Sequence, residues 1–272
     1  MTTAAQMLEV DGIPLRVVRR GEGPPLLLIN GLGAGLETWD PFVRRIEGRE
    51  AIAFDLPGAG HSGHGKLPRR MRGLARTVSL MIRELGLECV DLLGYSLGGL
   101  VAQEVAHRHP EQVRCLVLAA TSPGLPSIPP NPLAATVMLT PARYYDRRFA
   151  EFAIPLIGGG RTARDRGVLR RGVTRRLMDP PTLTGYLHQL SAVCGWSSHS
   201  WLRHLRTPTL VMHGDQDPLV PLINARYLAK MIPDSELQVL SDAGHLVLID
   251  QPDDAIELIE SFLVKRSTSE EI

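Results

Sequence analysis

A chain of 272 residues with 44% apolar content can bury a sizeable core, and a formal charge of +1 gives no global field to favour nucleic acid or an anionic membrane. Cys89, Cys115 and Cys194 are odd in number and widely spaced, so neither a disulfide framework nor a Cys-x-x-Cys metal site is expected. No apolar run approaches the ~18 residues of a membrane span, and "MTTAAQMLEVDG" lacks the basic start and apolar middle of a leader, so a cytoplasmic protein is expected.

In chain order, "LRVVRR" (15–20) predicts an antiparallel edge strand, followed by strands at "PLLLIN" (25–30) and "AIAFD" (51–55). A helix over 68–86 leads to the strand "CVDLLGY" (89–95), a helix over 97–109 and the strand "VRCLVLAA" (113–120). Cys89 and Cys115 sit in these apolar runs and read as small buried residues. After a break come "PTLVMHG" (208–214), a helix over 222–232, "ELQVL" (236–240) and a helix over 253–265. Most of the strands lack period-two alternation, as strands covered on both faces do. Strands alternating with helices predict a mainly parallel, twisted sheet with helices on both sides.

The break runs from about Pro123 to Arg206, opens with "SPGLPSIPPNP" and is punctuated by "GGG" (158–160). It predicts an inserted helical lid over 123–205 between two parts of one α/β core, 1–122 and 206–272. This segment carries eleven Arg against four acidic residues. "RTARDRGVLRRGVTRR" reads first as a solvated helix face, and second as a basic lid that draws acidic products.

"LLGYSLGGL" (92–100) carries the chemistry. Gly94-Tyr95-Ser96-Leu97-Gly98 fits Gly-x-Ser-x-Gly between a predicted strand and a predicted helix, where a sharp turn exposes one hydroxyl. A Ser hydroxyl needs a base. His245, in "SDAGHLVLID" after the last predicted strand, reaches the same sheet edge. His213 reads as a packed strand-end residue, and His107 and His109 as cations suited to a helix C-terminus. The imidazole needs an acid. "HGDQDPLVP" offers Asp217, with Asp215 read as the turn cap, and the loop "TSPG" after the preceding strand has no carboxylate. The backbone N–H groups of Leu97 and of Leu32, in "NGLGAG", are candidate oxyanion donors. That loop lacks the Lys and the Gly spacing of a phosphate loop.

Together these pieces resemble the α/β-hydrolase superfamily, in the chain order Ser96, Asp217, His245. "INGLGAGLETWDPF", "LVLAATSPG", "IGGG", "GWSSHSWL" and the stretch 208–246 are similar to the intracellular medium-chain-length polyhydroxyalkanoate depolymerases. The resemblance implies that Ser96, Asp217 and His245 carry catalysis. "FDLPGAGHS" (54–62) is similar to the family's loop after its fourth strand, with Asp55 structural. Two features depart from that subgroup: Leu97 stands where it has Trp, and the helix expected over 161–178 is unusually rich in Arg. Asn30 replaces the His-Gly dipeptide of many relatives.

The expected reaction is ester hydrolysis through an acyl-enzyme on medium-chain 3-hydroxyacyl esters or polyhydroxyalkanoate, with no metal or organic cofactor. A general carboxylesterase is the runner-up, and a ligand-binding sensor without turnover is the reading of another class. Met138, Leu156, Trp196 and Trp201 are candidates for an apolar acyl slot, weighed against plain packing within the lid. The expected partner is a small or polymeric ester rather than nucleic acid, met in the cytoplasm or at the surface of storage granules.

Overall fold

A computed structural model describes residues 5–268; the first four residues of the chain and the last four lie outside that range. Apolar runs whose buried backbone groups must find partners pair into one eight-stranded sheet. Its strands are β1 (Gln6–Val10), β2 (Ile13–Arg20), β3 (Pro25–Ile29), β4 (Glu50–Phe54), β5 (Val90–Tyr95), β6 (Val113–Ala119), β7 (Thr209–Gly214) and β8 (Ser235–Leu240). The order across the sheet is β1-β2-β4-β3-β5-β6-β7-β8. The pairs β1–β2 and β2–β4 are antiparallel and the others parallel.

The expected edge strand is not at the edge. β2 is antiparallel as expected, but β1 pairs along its outer side from Gln6↔Val17 to Val10↔Ile13. The turn between them is Asp11-Gly12, both at positive φ (53° and 73°), as tight hairpins prefer.

Among the described residues the helices are α1 (Asp40–Val43), α2 (Met71–Glu84), α3 (Leu97–Arg108), α4 (Pro132–Leu139), α5 (Arg147–Gly158), α6 (Gly160–Arg164), α7 (Arg166–Met178), α8 (Leu183–Val193), α9 (Leu222–Met231), α10 (Val247–Asp250) and α11 (Pro252–Thr268). Leu27 and Ile29 of β3 join the core under α2, α3 and α9, while Leu26 and Leu28 join the core under α1 and α11. Both faces are thus covered, which is why the inner strands are apolar throughout. Cys115 is buried in the second of these cores, but Cys89, one residue ahead of β5, is exposed. None of the described helices is long and apolar enough to cross a membrane.

The chain steps from β3 outward to β4, then returns past β3 to β5 and continues the other way. The connections that leave the carboxyl ends of β3 and β5 therefore diverge and open a crevice, where open α/β sheets hold their ligands.

Helices α4 to α8 lie between β6 and β7. The single Arg-rich helix expected over 161–178 is broken at Asp165, whose extended backbone ends α6 and whose carboxylate accepts the Gly167 and Val168 N–H groups to start α7. Arg161, Arg164, Arg166, Arg170 and Arg171 are exposed, whereas Arg175 and Arg176 are half-buried. The three glycines at 158–160 do more than interrupt helices. They lie backbone to backbone on the loop 243–245, where a Cβ on Gly244 would sit 1.8 Å from the Gly158 carbonyl oxygen. Asp250, fully buried, bridges the seam by accepting the Gly244 N–H at 2.7 Å and the Thr162 N–H and hydroxyl at 2.7 and 2.6 Å.

Gly244→Ala is expected to cost about 2 kcal/mol or more, because the atom it meets is backbone and has nowhere to go. Gly172→Ala, inside α7 with no atom near its added Cβ, is expected to stabilise by up to about 1 kcal/mol. Urea midpoints check both, and an unchanged midpoint for Gly244→Ala would contradict the seam.

Candidate active site

β5 ends at Tyr95 and α3 begins at Leu97, so Ser96 alone makes the turn, at φ 54° and ψ −118°. A non-glycine residue pays for this conformation and must be held in it. The Ser96 N–H donates to the Ala119 carbonyl at 2.9 Å, and its own carbonyl accepts the Gly99 N–H at 2.9 Å and the Thr121 hydroxyl at 2.8 Å. The neighbouring glycines permit the close approach. A Cβ at Gly98 would lie 2.0 Å from the Ile29 carbonyl oxygen, and one at Gly94 2.5 Å from that of Gly98.

Ser96 Oγ lies 3.0 Å from His245 Nε2, and His245 Nδ1 lies 2.8 Å from Asp217 Oδ2. Nδ1–H therefore donates to the carboxylate, leaving Nε2 free to accept the hydroxyl proton. The Gly158 carbonyl takes the His245 backbone N–H at 2.6 Å and so fixes the loop that carries the ring. Asp217 Oδ1 accepts the Leu219 and Val220 N–H groups, both at 2.8 Å. The cap of this turn is thus Asp217 and not Asp215, whose side chain is exposed.

Sequence reasoning missed a second imidazole on the same carboxylate. His213, fully buried, points Nε2 at the Val220 carbonyl (2.8 Å) and at Asp217 Oδ2 (3.3 Å). The Asp217–His213 spacing of four residues across a strand end was the available signal. Burial would raise the Asp217 pKa, but the charge of His245 and hydrogen bonds from His213 and His245 outweigh it and hold the carboxyl down at about 2. Burial pushes the pKa values of His107 and His109 down, against the charged form that suits a helix C-terminus.

Ser96 opens on an apolar cavity of about 380 Å³ that Leu32 and Leu97 also line. Leu97 is the first residue of α3, where an N–H has no partner within the helix. The loop bearing Leu32 is tied by Asn30, which accepts the Gly31 N–H and donates to the Gly35 carbonyl, both at 2.9 Å. Of the proposed acyl-slot residues, Met138 lines this cavity. The other three lie elsewhere. Leu156, on α5, packs against the cluster that α4 and α5 form with Leu219. Trp196 and Trp201 line a separate crevice beside Arg70 and His107, where Trp196 Nε1 donates to Glu104 at 2.8 Å and Trp201 stacks on His107 at 4.1 Å. The remaining apolar wall includes Leu100, Leu139, Leu190, Val193 and Leu219, gathered from four places in the chain. Asp55 is buried away from solvent, receives the Leu36 and His61 N–H groups and pairs with Arg16. Among the described residues no group of three His, Cys, Asp or Glu side chains could hold a metal ion.

A family model described as the alpha/beta hydrolase family matches residues 26–258. The chain is 38% identical over 260 residues to a poly(3-hydroxyalkanoate) depolymerase of Ectopseudomonas oleovorans, covering 94% of this chain and 91% of that protein. It is 31% identical over 255 residues to a pimeloyl-[acyl-carrier protein] methyl ester esterase of Aeromonas hydrophila, covering 91% and 98%. Among solved structures, the enol-lactonase from Burkholderia xenovorans LB400 superimposes with a TM-score of 0.83 over 95% of this chain and all of that one. At 23% identity, this last is a likeness of fold.

Because the folded-state pKa of Asp217 lies below its ordinary value, its contribution to stability is fully present above the ordinary carboxylate pKa of about 4. It is lost as pH falls towards about 2. Urea unfolding between pH 5 and pH 2 is expected to show a steeper loss of stability for the wild type than for Asp217→Asn. Parallel curves would contradict a depressed Asp217.

Proposed function

The chain belongs to the alpha/beta hydrolase family, and on that premise we propose that this ester hydrolase cleaves medium-chain 3-hydroxyacyl esters or polyhydroxyalkanoate through an acyl-enzyme on Ser96. The observation that carries the reading is a hydrogen-bond chain from Ser96 through His245 to Asp217 that opens directly on an apolar cavity.

In this mechanism His245 Nε2 takes the hydroxyl proton as Oγ attacks the ester carbonyl. The N–H groups of Leu32 and Leu97 receive the oxyanion, which they stabilise without reorganising because both are held in the backbone. His245 then protonates the departing alcohol and later takes a proton from the water that releases the acid. Asp217 stays ionised throughout and steadies the imidazolium, which its depressed pKa favours. Leu100, Leu139, Leu190 and Leu219 receive the acyl tail, and each methylene buried there contributes about 0.8 kcal/mol. Preference therefore rises with chain length until the cavity is full.

The depolymerase relative supports a 3-hydroxyacyl substrate, and the methyl ester esterase relative supports ester chemistry more broadly. On this reading residues 123–205 act as a lid over a core formed by 1–122 and 206–272, and the enzyme works in the cytoplasm at the surface of storage granules.

Turnover of p-nitrophenyl octanoate is expected to exceed that of the acetate, and to fall by at least about 10⁴-fold in Ser96→Ala. Leu190→Trp, which fills the cavity, is expected to move the optimum to shorter chains. Release of 3-hydroxyoctanoate from polyhydroxyoctanoate granules tests the polymer. Ester turnover without it would favour a general carboxylesterase, and tight ligand binding without any turnover would favour a sensor.

A further inference from the structure

The loop after β3 makes a turn in which the Ala34 N–H donates to the Gly31 carbonyl at 3.1 Å, with Gly33 in third position at φ 69°. A positive φ there is what a type II turn requires. The central peptide of such a turn, here Leu32–Gly33, can flip between two orientations, as types I and II differ in this way. Two buried side chains of the segment between β6 and β7 hold both polar ends of that peptide. The Tyr144 hydroxyl donates to the Leu32 carbonyl, and Gln189 Oε1 accepts the Gly33 N–H at 2.8 Å. Neither side chain is loose. Gln189 Nε2 donates to the Pro57 carbonyl at 3.0 Å. Arg176 donates to the Tyr144 hydroxyl at 3.2 Å and covers the ring at 5.0 Å, and Arg143 covers the same ring at 4.9 Å. Gly33 has no room for a side chain, since a Cβ would meet Tyr186 at 2.9 Å and Tyr144 at 3.0 Å.

We infer that Tyr144 and Gln189 are positioning residues for the oxyanion site: they pin the Leu32–Gly33 peptide and so fix the turn whose preceding peptide, Gly31–Leu32, carries the Leu32 N–H towards the developing charge. The inference rests on the reading of Leu32 as an oxyanion donor. Arg176, on the Arg-rich helix α7, then acts as well, polarising the Tyr144 hydroxyl from behind. Neither Tyr144 nor Gln189 lines the apolar cavity assigned to the acyl tail, so their effect is expected on the transition state rather than on binding of that tail.

The test compares wild type with Tyr144→Phe, Gln189→Met and Gln189→Glu, each normalised to active sites by titration with a fluorophosphonate and checked for Tm. Tyr144→Phe and Gln189→Met are expected to lose about tenfold in kcat, short of the ~100-fold that follows outright removal of an oxyanion donor. KM for p-nitrophenyl octanoate should stay within about twofold. Affinity for an octyl trifluoromethyl ketone, which forms a hemiketal oxyanion on the serine, should fall by the same factor as kcat. Gln189→Glu keeps an acceptor for the Gly33 N–H but can serve the Pro57 carbonyl only when protonated, so it is expected to regain part of the loss at the acid end of the pH profile and none where the carboxylate is ionised. If kcat and ketone affinity are unchanged, or if kcat falls while ketone affinity holds, the positioning role is overturned though the ester reading stands. A wild-type protein that neither turns over the ester nor binds the ketone would remove the underlying reading, and the inference with it.

Discussion

The site depends on one strained residue that cannot relax. Ser96 sits at positive φ with its N–H bonded to Ala119 and its carbonyl bonded to Gly99 and Thr121. Such a conformation costs of order 1–3 kcal/mol in a non-glycine residue. Rotation towards an ordinary conformation would break those bonds and drive α3 into β3, which Gly98 already approaches closely enough to exclude a Cβ. The strain is thus supported by the sheet itself. It aims the hydroxyl out of the carboxyl edge, into the crevice that the crossing between β3 and β5 opens.

Two further loops meet there, and the helical segment between β6 and β7 contacts both. Its Gly158–Thr162 stretch seals onto the loop of His245 through backbone contacts and Asp250. Its Tyr144 and Gln189 grip the loop of Leu32. The same segment supplies Met138, Leu139, Leu190 and Val193 to the cavity wall. The wall of the apolar cavity and the geometry around Ser96 are therefore coupled through one piece of the chain. Changes in its packing are expected to alter both together.

Much of this was legible in the sequence. Strands covered on both faces announce themselves as unbroken apolar runs, and the turn at Ser96 is readable because glycine is the residue that tolerates such crowding. β1 was missed because "QMLEV" is largely exposed and carries no apolar run, although Asp11-Gly12 beside it was a hairpin signal. The break at Asp165 was hidden within an arginine run that has little apolar periodicity to interrupt. Trp196 and Trp201 could be read either as acyl-slot residues or as plain lid packing, because aromatic bulk suits both; their polar edge and flat face found Glu104 and His107. The cavity wall comes from residues far apart in sequence, and no local pattern could have assembled Leu100, Leu139, Leu190 and Leu219. The clamp by Tyr144 and Gln189 spans more than a hundred residues on each side and left no local trace.

The account stands on Ser96 as the group that becomes acylated. Rapid acid quench of a single turnover with p-nitrophenyl octanoate, followed by intact-mass and peptide analysis, measures this directly. The account predicts a transient species heavier by one octanoyl group, with the label on the peptide containing Ser96. Octanoate release at an undiminished rate in Ser96→Ala, or an octanoyl label on another residue, would contradict it.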